Sequence, residues 1–279
     1  MQRITTPDKT ELYVKDWGQG SPVVLIHGWP LSADSWDDLA IPLVEAGHRV
    51  IAYDRRGFGR SSQPWDGYGY DTLADDLAQV IQQTGVQDAA LVGFSMGGGE
   101  VARYMSRHQG RSVSRAVLVS SVLPFRLKTA DNPGGADISA FDKTARALQD
   151  DRAKFFTGFF RDFFGAGVAD NRVSDEVLRW AHGIAMQASL RATLACMRSF
   201  SSTDFRADLA AFEVPTLFIH GSEDKTVPIA ASSRLAVQGV ADATLIEYDA
   251  APHGLFVTHK QRLAKDVLAF LKAPAVALA

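Results

Sequence analysis

Apolar residues fall in short unbroken runs through the first 120 positions, and between those runs they recur at the three- and four-residue spacing of a helix. The runs predict strands over residues 11–17, 22–27, 50–53, 89–93 and 114–120. Helical spacing covers 35–46 and 72–84, where Leu73, Leu77, Val80 and Ile81 form one core-facing stripe. Strands alternating with helices predict an α/β fold, with a mainly parallel central sheet and helices on both faces.

After Ser121 the texture changes. Pro124 ends the alternation, Asp131-Asn132-Pro133-Gly134-Gly135 reads as a loop, and residues 137–200 keep helical periodicity with paired phenylalanines at 155–156, 159–160 and 163–164. An all-helical insertion is expected here. Its phenylalanines are expected to pack, and also to line a pocket if the insertion roofs the sheet. Strand texture returns at 214–220 and 243–248, and a closing helix is predicted over 259–271. The expected organisation is a core of residues 1–123 and 206–279 with a helical cap at 124–205.

Open parallel sheets bind ligands beyond the carboxyl ends of their strands, so the residues that follow each strand are the candidates for chemistry. After the fourth predicted strand comes Gly93-Phe94-Ser95-Met96-Gly97, one serine between two glycines at a passage from strand to helix. A hydroxyl is a poor nucleophile at neutral pH. It needs a sharp exposed bend, an adjacent base and backbone N–H groups aimed at the oxyanion. Glycines two before and two after Ser95 would let strand and helix approach closely enough for that bend.

Two later strand ends supply partners. Asp224 follows the run Leu217-Phe218-Ile219-His220, and His253 follows Thr244-Leu245-Ile246-Glu247-Tyr248. The order Ser95, Asp224, His253 suits a nucleophile, an orienting acid and a base. Glu223 should point elsewhere, Asp204 and Asp208 sit at the wrong end of their strand, and His259 is the weaker rival to His253. The oxyanion hole is expected from the backbone N–H of Met96 and of Trp29, in the loop His27-Gly28-Trp29-Pro30. No pair of histidines with a carboxylate has metal-ligand spacing, so no metal is expected.

Composition narrows the partners. With 279 residues, 46% of them hydrophobic, and a net charge of −3, the chain offers a large core and no basic face for nucleic acid or an anionic membrane. No apolar h-region or membrane-length run is visible, and a cytoplasmic protein acting on a small molecule, assembled as a homo-oligomer, is expected. The single cysteine, Cys196, reads as a small core hydrophobe.

With these pieces in order the chain resembles the α/β-hydrolase superfamily, and more narrowly the cofactor-free haloperoxidase, aryl-esterase and perhydrolase family. The resemblance is carried by His27–Pro30, by Tyr53-Asp54-Arg55-Arg56-Gly57-Phe58-Gly59-Arg60-Ser61-Ser62, by the block from Gly93 to Tyr104, by Thr203-Asp204-Phe205-Arg206 and by Ala251-Pro252-His253-Gly254. It implies hydrolysis of small carboxylic esters through an acyl-enzyme, with peroxide able to replace water and give a halide-oxidising peracid. It also implies an apolar acyl pocket, for which Trp29, Phe94, Phe125 and Phe159 are the expected lining. Pro30 matches the haloperoxidase members, where it would turn the Trp29 carbonyl toward peroxide. The stretch 123–136 matches no pattern of that family. A lactonase or C–C hydrolase of the same fold, and a non-catalytic binding relative, are the alternatives.

Overall fold

The computed structural model describes residues 2–167 and 173–273. Eight strands form one sheet: β1 (Gln2–Thr5), β2 (Glu11–Trp17), β3 (Ser21–Ile26), β4 (His48–Tyr53), β5 (Ala89–Phe94), β6 (Val113–Val119), β7 (Thr216–Gly221) and β8 (Ala243–Tyr248). Their order is β1-β2-β4-β3-β5-β6-β7-β8. The two pairings made by β2 are antiparallel and the others are parallel. The central strands are apolar because both of their faces are covered: Val23 to Ile26 and every residue of β5 and β7 are buried. β1 is absent from the predicted strands; one buried residue in four gives it no apolar run to detect.

Helices α1 (Asp37–Glu45), α2 (Tyr70–Thr84) and α3 (Met96–Arg107) connect the first parallel strands. From β3 the chain steps to β4 on one side, then crosses back over β3 to β5. Right-handed crossovers in opposite directions set α1 on one face and α2 with α3 on the other. That reversal creates a crevice beyond the carboxyl ends of β3 and β5, the place where such sheets bind ligands. The register pairs Ile26 with Gly93 and Phe94 with Val119, which puts the loops after these strands side by side.

Between β6 and β7 run α4 (Ile138–Phe163), α5 (Asp175–Gln187) and α6 (Leu190–Ser202). Asp137, Ser174 and Ser189 cap their N-termini by accepting backbone N–H bonds. The backbone leaves helical geometry at Asp151, which bends α4. The short α7 (Ser233–Ala236) and α8 (Leu255–Thr258) and the closing α9 (Lys260–Lys272) complete the core. No helix of the described residues is long and apolar enough to cross a membrane.

Candidate active site

Ser95 occupies the bend between β5 and α3 with φ 52° and ψ −114°, a left-handed backbone that costs energy for a residue other than glycine. The bend is tight. A Cβ at Gly93 would lie 2.7 Å from the Gly97 carbonyl oxygen, and one at Gly97 would strike the Ile26 carbonyl. Strand and helix approach as closely as the sequence implied, and the hydroxyl is carried to the end of the sheet. The Ser95 amide donates to the Val119 carbonyl at 2.9 Å, tying the bend to β6.

His253, in the loop after β8, places Nε2 3.0 Å from Ser95 Oγ and Nδ1 2.6 Å from Asp224 Oδ2. An ionised carboxylate only accepts, so Nδ1 carries the proton and Nε2 is left to accept from the serine hydroxyl. Asp224 Oδ1 accepts from the amides of Thr226 and Val227 at 2.9 and 2.7 Å. His220 Nε2 stands 3.1 Å from Oδ2. Burial opposes the charge of this carboxylate, yet the facing imidazole of His253 and the bonds from both histidines hold its pKa well below the usual range. His220, near the end of β7, is thus a second support for Asp224.

The loop after β3 lies against the serine. A Cβ at Gly28 would sit 2.5 Å from Phe94 Cδ1 and 3.1 Å from Ser95 Cβ, so only glycine admits this approach. Among the described residues no acceptor takes the backbone N–H of Trp29 or Met96. Met96 opens α3, where first-turn amides have no partner inside the helix. The indole N–H of Trp29 donates to the Thr193 carbonyl at 3.0 Å, which pins this loop to α6.

Behind the loop His27, Arg55 and Glu100 form a buried cluster. Arg55 Nη2 donates to the His27 carbonyl at 2.6 Å, Arg55 Nε pairs with Glu100, and Tyr53 OH donates to Glu100 Oε2 at 2.7 Å. Arg56 makes a bidentate pair with Asp76, and Asp54 binds the amides of Ala33 and Arg60. The charged loop 54–62 is therefore a brace beneath the site.

Ser95 and His253 open into a cavity of about 690 Å³, the size of a small-ligand site. Trp29 and Phe159 line it, together with Phe155, Phe200, Met197 and Val227. Phe94 and Phe125 do not. Phe94 follows the strand pleat away from Ser95 and wedges between His253, Trp36 and Phe256. Phe125 pairs its backbone with Asp204 and stacks its ring under Arg206. Cys196 is fully buried, and burial pushes its thiol up to about 12, out of the reactive range. The described residues hold no group of three His, Cys, Asp or Glu side chains arranged for a metal ion.

A bent strand-to-helix serine before a histidine and a buried acid, on a sheet of this order, defines an enzyme of the α/β-hydrolase superfamily. The family model described as alpha/beta hydrolase fold matches residues 21–260, and the chain belongs to that family. It is 40% identical to a non-heme chloroperoxidase of Kitasatospora aureofaciens over 273 residues, 97% of this chain and 99% of that one. It is also 40% identical to a bifunctional esterase/perhydrolase of Acinetobacter calcoaceticus over 278 residues, 98% and 100% of the two chains. Among solved structures, a bromoperoxidase from Bacillus anthracis is 44% identical with a TM-score of 0.94, covering 98% of this chain and 99% of its own.

Proposed function

We propose that this chain is a serine esterase acting on small carboxylic esters, with a perhydrolase and halide-oxidising side reaction. The observation that carries the reading is the continuous line Asp224, His253, Ser95, spaced at 2.6 and 3.0 Å and opening into an apolar cavity. Ser95 Oγ attacks the acyl carbon while His253 Nε2 takes its proton, and the Trp29 and Met96 amides receive the oxyanion. The ester C–O bond breaks, the leaving alkoxide takes the proton from His253, and Ser95 holds the acyl group. Water repeats the sequence in reverse and frees the acid. Hydrogen peroxide in place of water frees a peracid, which oxidises halide to hypohalite while returning to the carboxylic acid. This scheme calls on no cofactor.

Residues 124–205 act in this reading as a cap over the sheet's carboxyl edge, with 1–123 and 206–279 as the core. A homo-oligomer in the cytoplasm belongs to the same reading; sedimentation and cell fractionation test those two points.

Intact-mass measurement after a serine-reactive fluorophosphonate tests the enzyme. One adduct on Ser95, with loss of ester turnover in Ser95→Ala and His253→Ala, is expected. No adduct would turn the reading toward a binding module. For the side reaction, Pro30→Leu should change the ratio of peracid formation to hydrolysis, and an unchanged ratio removes Pro30 from that role.

A further inference from the structure

Among the described residues, one cation set into the wall of this cavity, as distinct from the exposed Lys154 at its edge, has no anion. Arg126 follows β6 in the stretch 123–136 that matched no family pattern, and it lines the same cavity as Ser95 and His253. Its backbone is held firmly, because the neighbouring Phe125 and Leu127 both make strand-like bridges and the Arg126 carbonyl accepts from Ala136 at 2.8 Å. Successive residues of an extended segment point opposite ways, so Phe125 turns out toward Arg206 while Arg126 turns in.

The guanidinium is under-satisfied. Of its five N–H donors, one bonds within the described residues, Nη2 to the Thr226 carbonyl at 2.8 Å, and Nε is buried with no partner. No described carboxylate forms an ion pair with it. Asp224 is close enough to be felt, but its oxygens are occupied by His253, His220 and two amides. The other acids of the cavity, Asp150, Asp151 and Asp162, stand at exposed positions of α4. Burial works against the charge of Arg126 and pulls its pKa down. Buried charges are retained when something pairs with them, and a planar fork of N–H groups matches a carboxylate in two parallel bonds.

We propose that Arg126 docks a second, ionised carboxyl group of the substrate, so that the preferred esters or lactones derive from dicarboxylic acids. One end of the acyl group then lies at Ser95 and the other at Arg126. This inference rests on the esterase reading above and names the substrate class for the same site.

The test compares 4-nitrophenyl hydrogen adipate with its methyl ester, two substrates that differ in one negative charge. In wild type kcat/KM favours the anionic ester. Arg126→Met lowers the anionic-to-methylated ratio by about 10- to 100-fold, and Arg126→Lys lowers it less. A wild type that prefers the methylated ester overturns the inference without need of any variant. So does a ratio within twofold of wild type in a folded Arg126→Met, and so does a parallel loss on both esters, which would make Arg126 only a support for the 224–227 turn through Thr226. If wild type labels at Ser95 and cleaves the methylated ester yet shows none of this selectivity, only the role of Arg126 falls. If it neither labels nor cleaves either ester, the esterase reading falls with it.

Discussion

The ring of Phe163, the last residue of α4, stands edge-on to the imidazole of His253, with centroids 4.8 Å apart and planes at 82°. The Phe163 carbonyl also accepts the Gly254 amide at 2.8 Å, so helix and histidine loop are joined through both ring and backbone. The helical insertion therefore helps to position His253 as well as lining the cavity. Phe94 also packs against the imidazole, at 5.0 Å between centroids, and meets Phe163 edge-on at 5.9 Å. His253 therefore packs against two mutually contacting aromatic rings, which limit how far it can turn away from Ser95.

Phe163→Ala should therefore cost function and stability together. Its ring is fully buried, and its loss should lower the unfolding free energy by about 3–5 kcal/mol. Because the ring does not line the cavity, kcat should fall more than KM rises. Urea titration and steady-state kinetics on an aryl ester read the two effects, with Phe163→Leu recovering most of both. A folded alanine variant with unchanged kcat would leave the ring a packing role alone.

Gly28→Ala puts a methyl group against Phe94 and the Ser95 Cβ. Something must shift, and the peptide that carries the Trp29 N–H is directly bonded to the crowded residue. Turnover should drop about 10²–10³-fold, the usual loss of one oxyanion donor. Overpacking should cost about 1–3 kcal/mol besides. Single-turnover acylation rates are the direct check, since a merely softened fold would leave them near wild type at low temperature.

How far the sequence reaches can be judged from these residues. Gly93, Ser95 and Gly97 are legible because a local bend needs them close together in the chain. Asp224 and His253 are legible because a parallel sheet brings its strand ends to one edge, and the seven predicted strands are off by no more than two residues at either end. Phe94 and Phe125 mislead because apolar type alone does not tell which side of an extended segment a ring takes. Phe155 and Phe159 of α4 face the cavity while Phe156, Phe160 and Phe163 pack behind them, a division fixed by helix rotation. Arg126 and His220 carry no signal of their own: what marks them is the partners that other strands supply, or fail to supply.

Asp224→Asn tests the acid through pH. Asparagine can present an amide donor where Nδ1–H needs an acceptor, so the wrong tautomer is favoured and kcat should fall by about 10⁴. The native carboxyl is held below its ordinary value of 3.8. A depressed carboxylate contributes stability that is complete above its unfolded pKa and is lost as pH falls through the native one. Wild type should exceed the variant in unfolding free energy by a steady margin down to about pH 4, and the margin should shrink in stronger acid. Urea titrations from pH 6 to pH 3 measure it; a margin that widened in acid would reverse the assignment.

The buried pair of Arg55 and Glu100 gives the sharpest test of the brace beneath the site. Both side chains are almost wholly excluded from solvent, at 1% and 0% exposure, so removing either leaves a charge with no water to receive it. Glu100→Leu should cost about 3–5 kcal/mol, whereas the double variant Arg55→Met with Glu100→Leu should recover much of that loss, because no orphan charge is left. The recovery should be larger in stability than in catalysis. Arg55 also binds the His27 carbonyl, one residue before Gly28, and methionine cannot replace that bond. The double variant is then a well-folded protein whose loop 27–30 has lost its anchor, with kcat low and thermal midpoint near wild type. A double-mutant cycle read both by urea titration and by aryl-ester turnover separates the two roles: equal recovery in both would mean that the pair supports the fold and leaves the loop untouched.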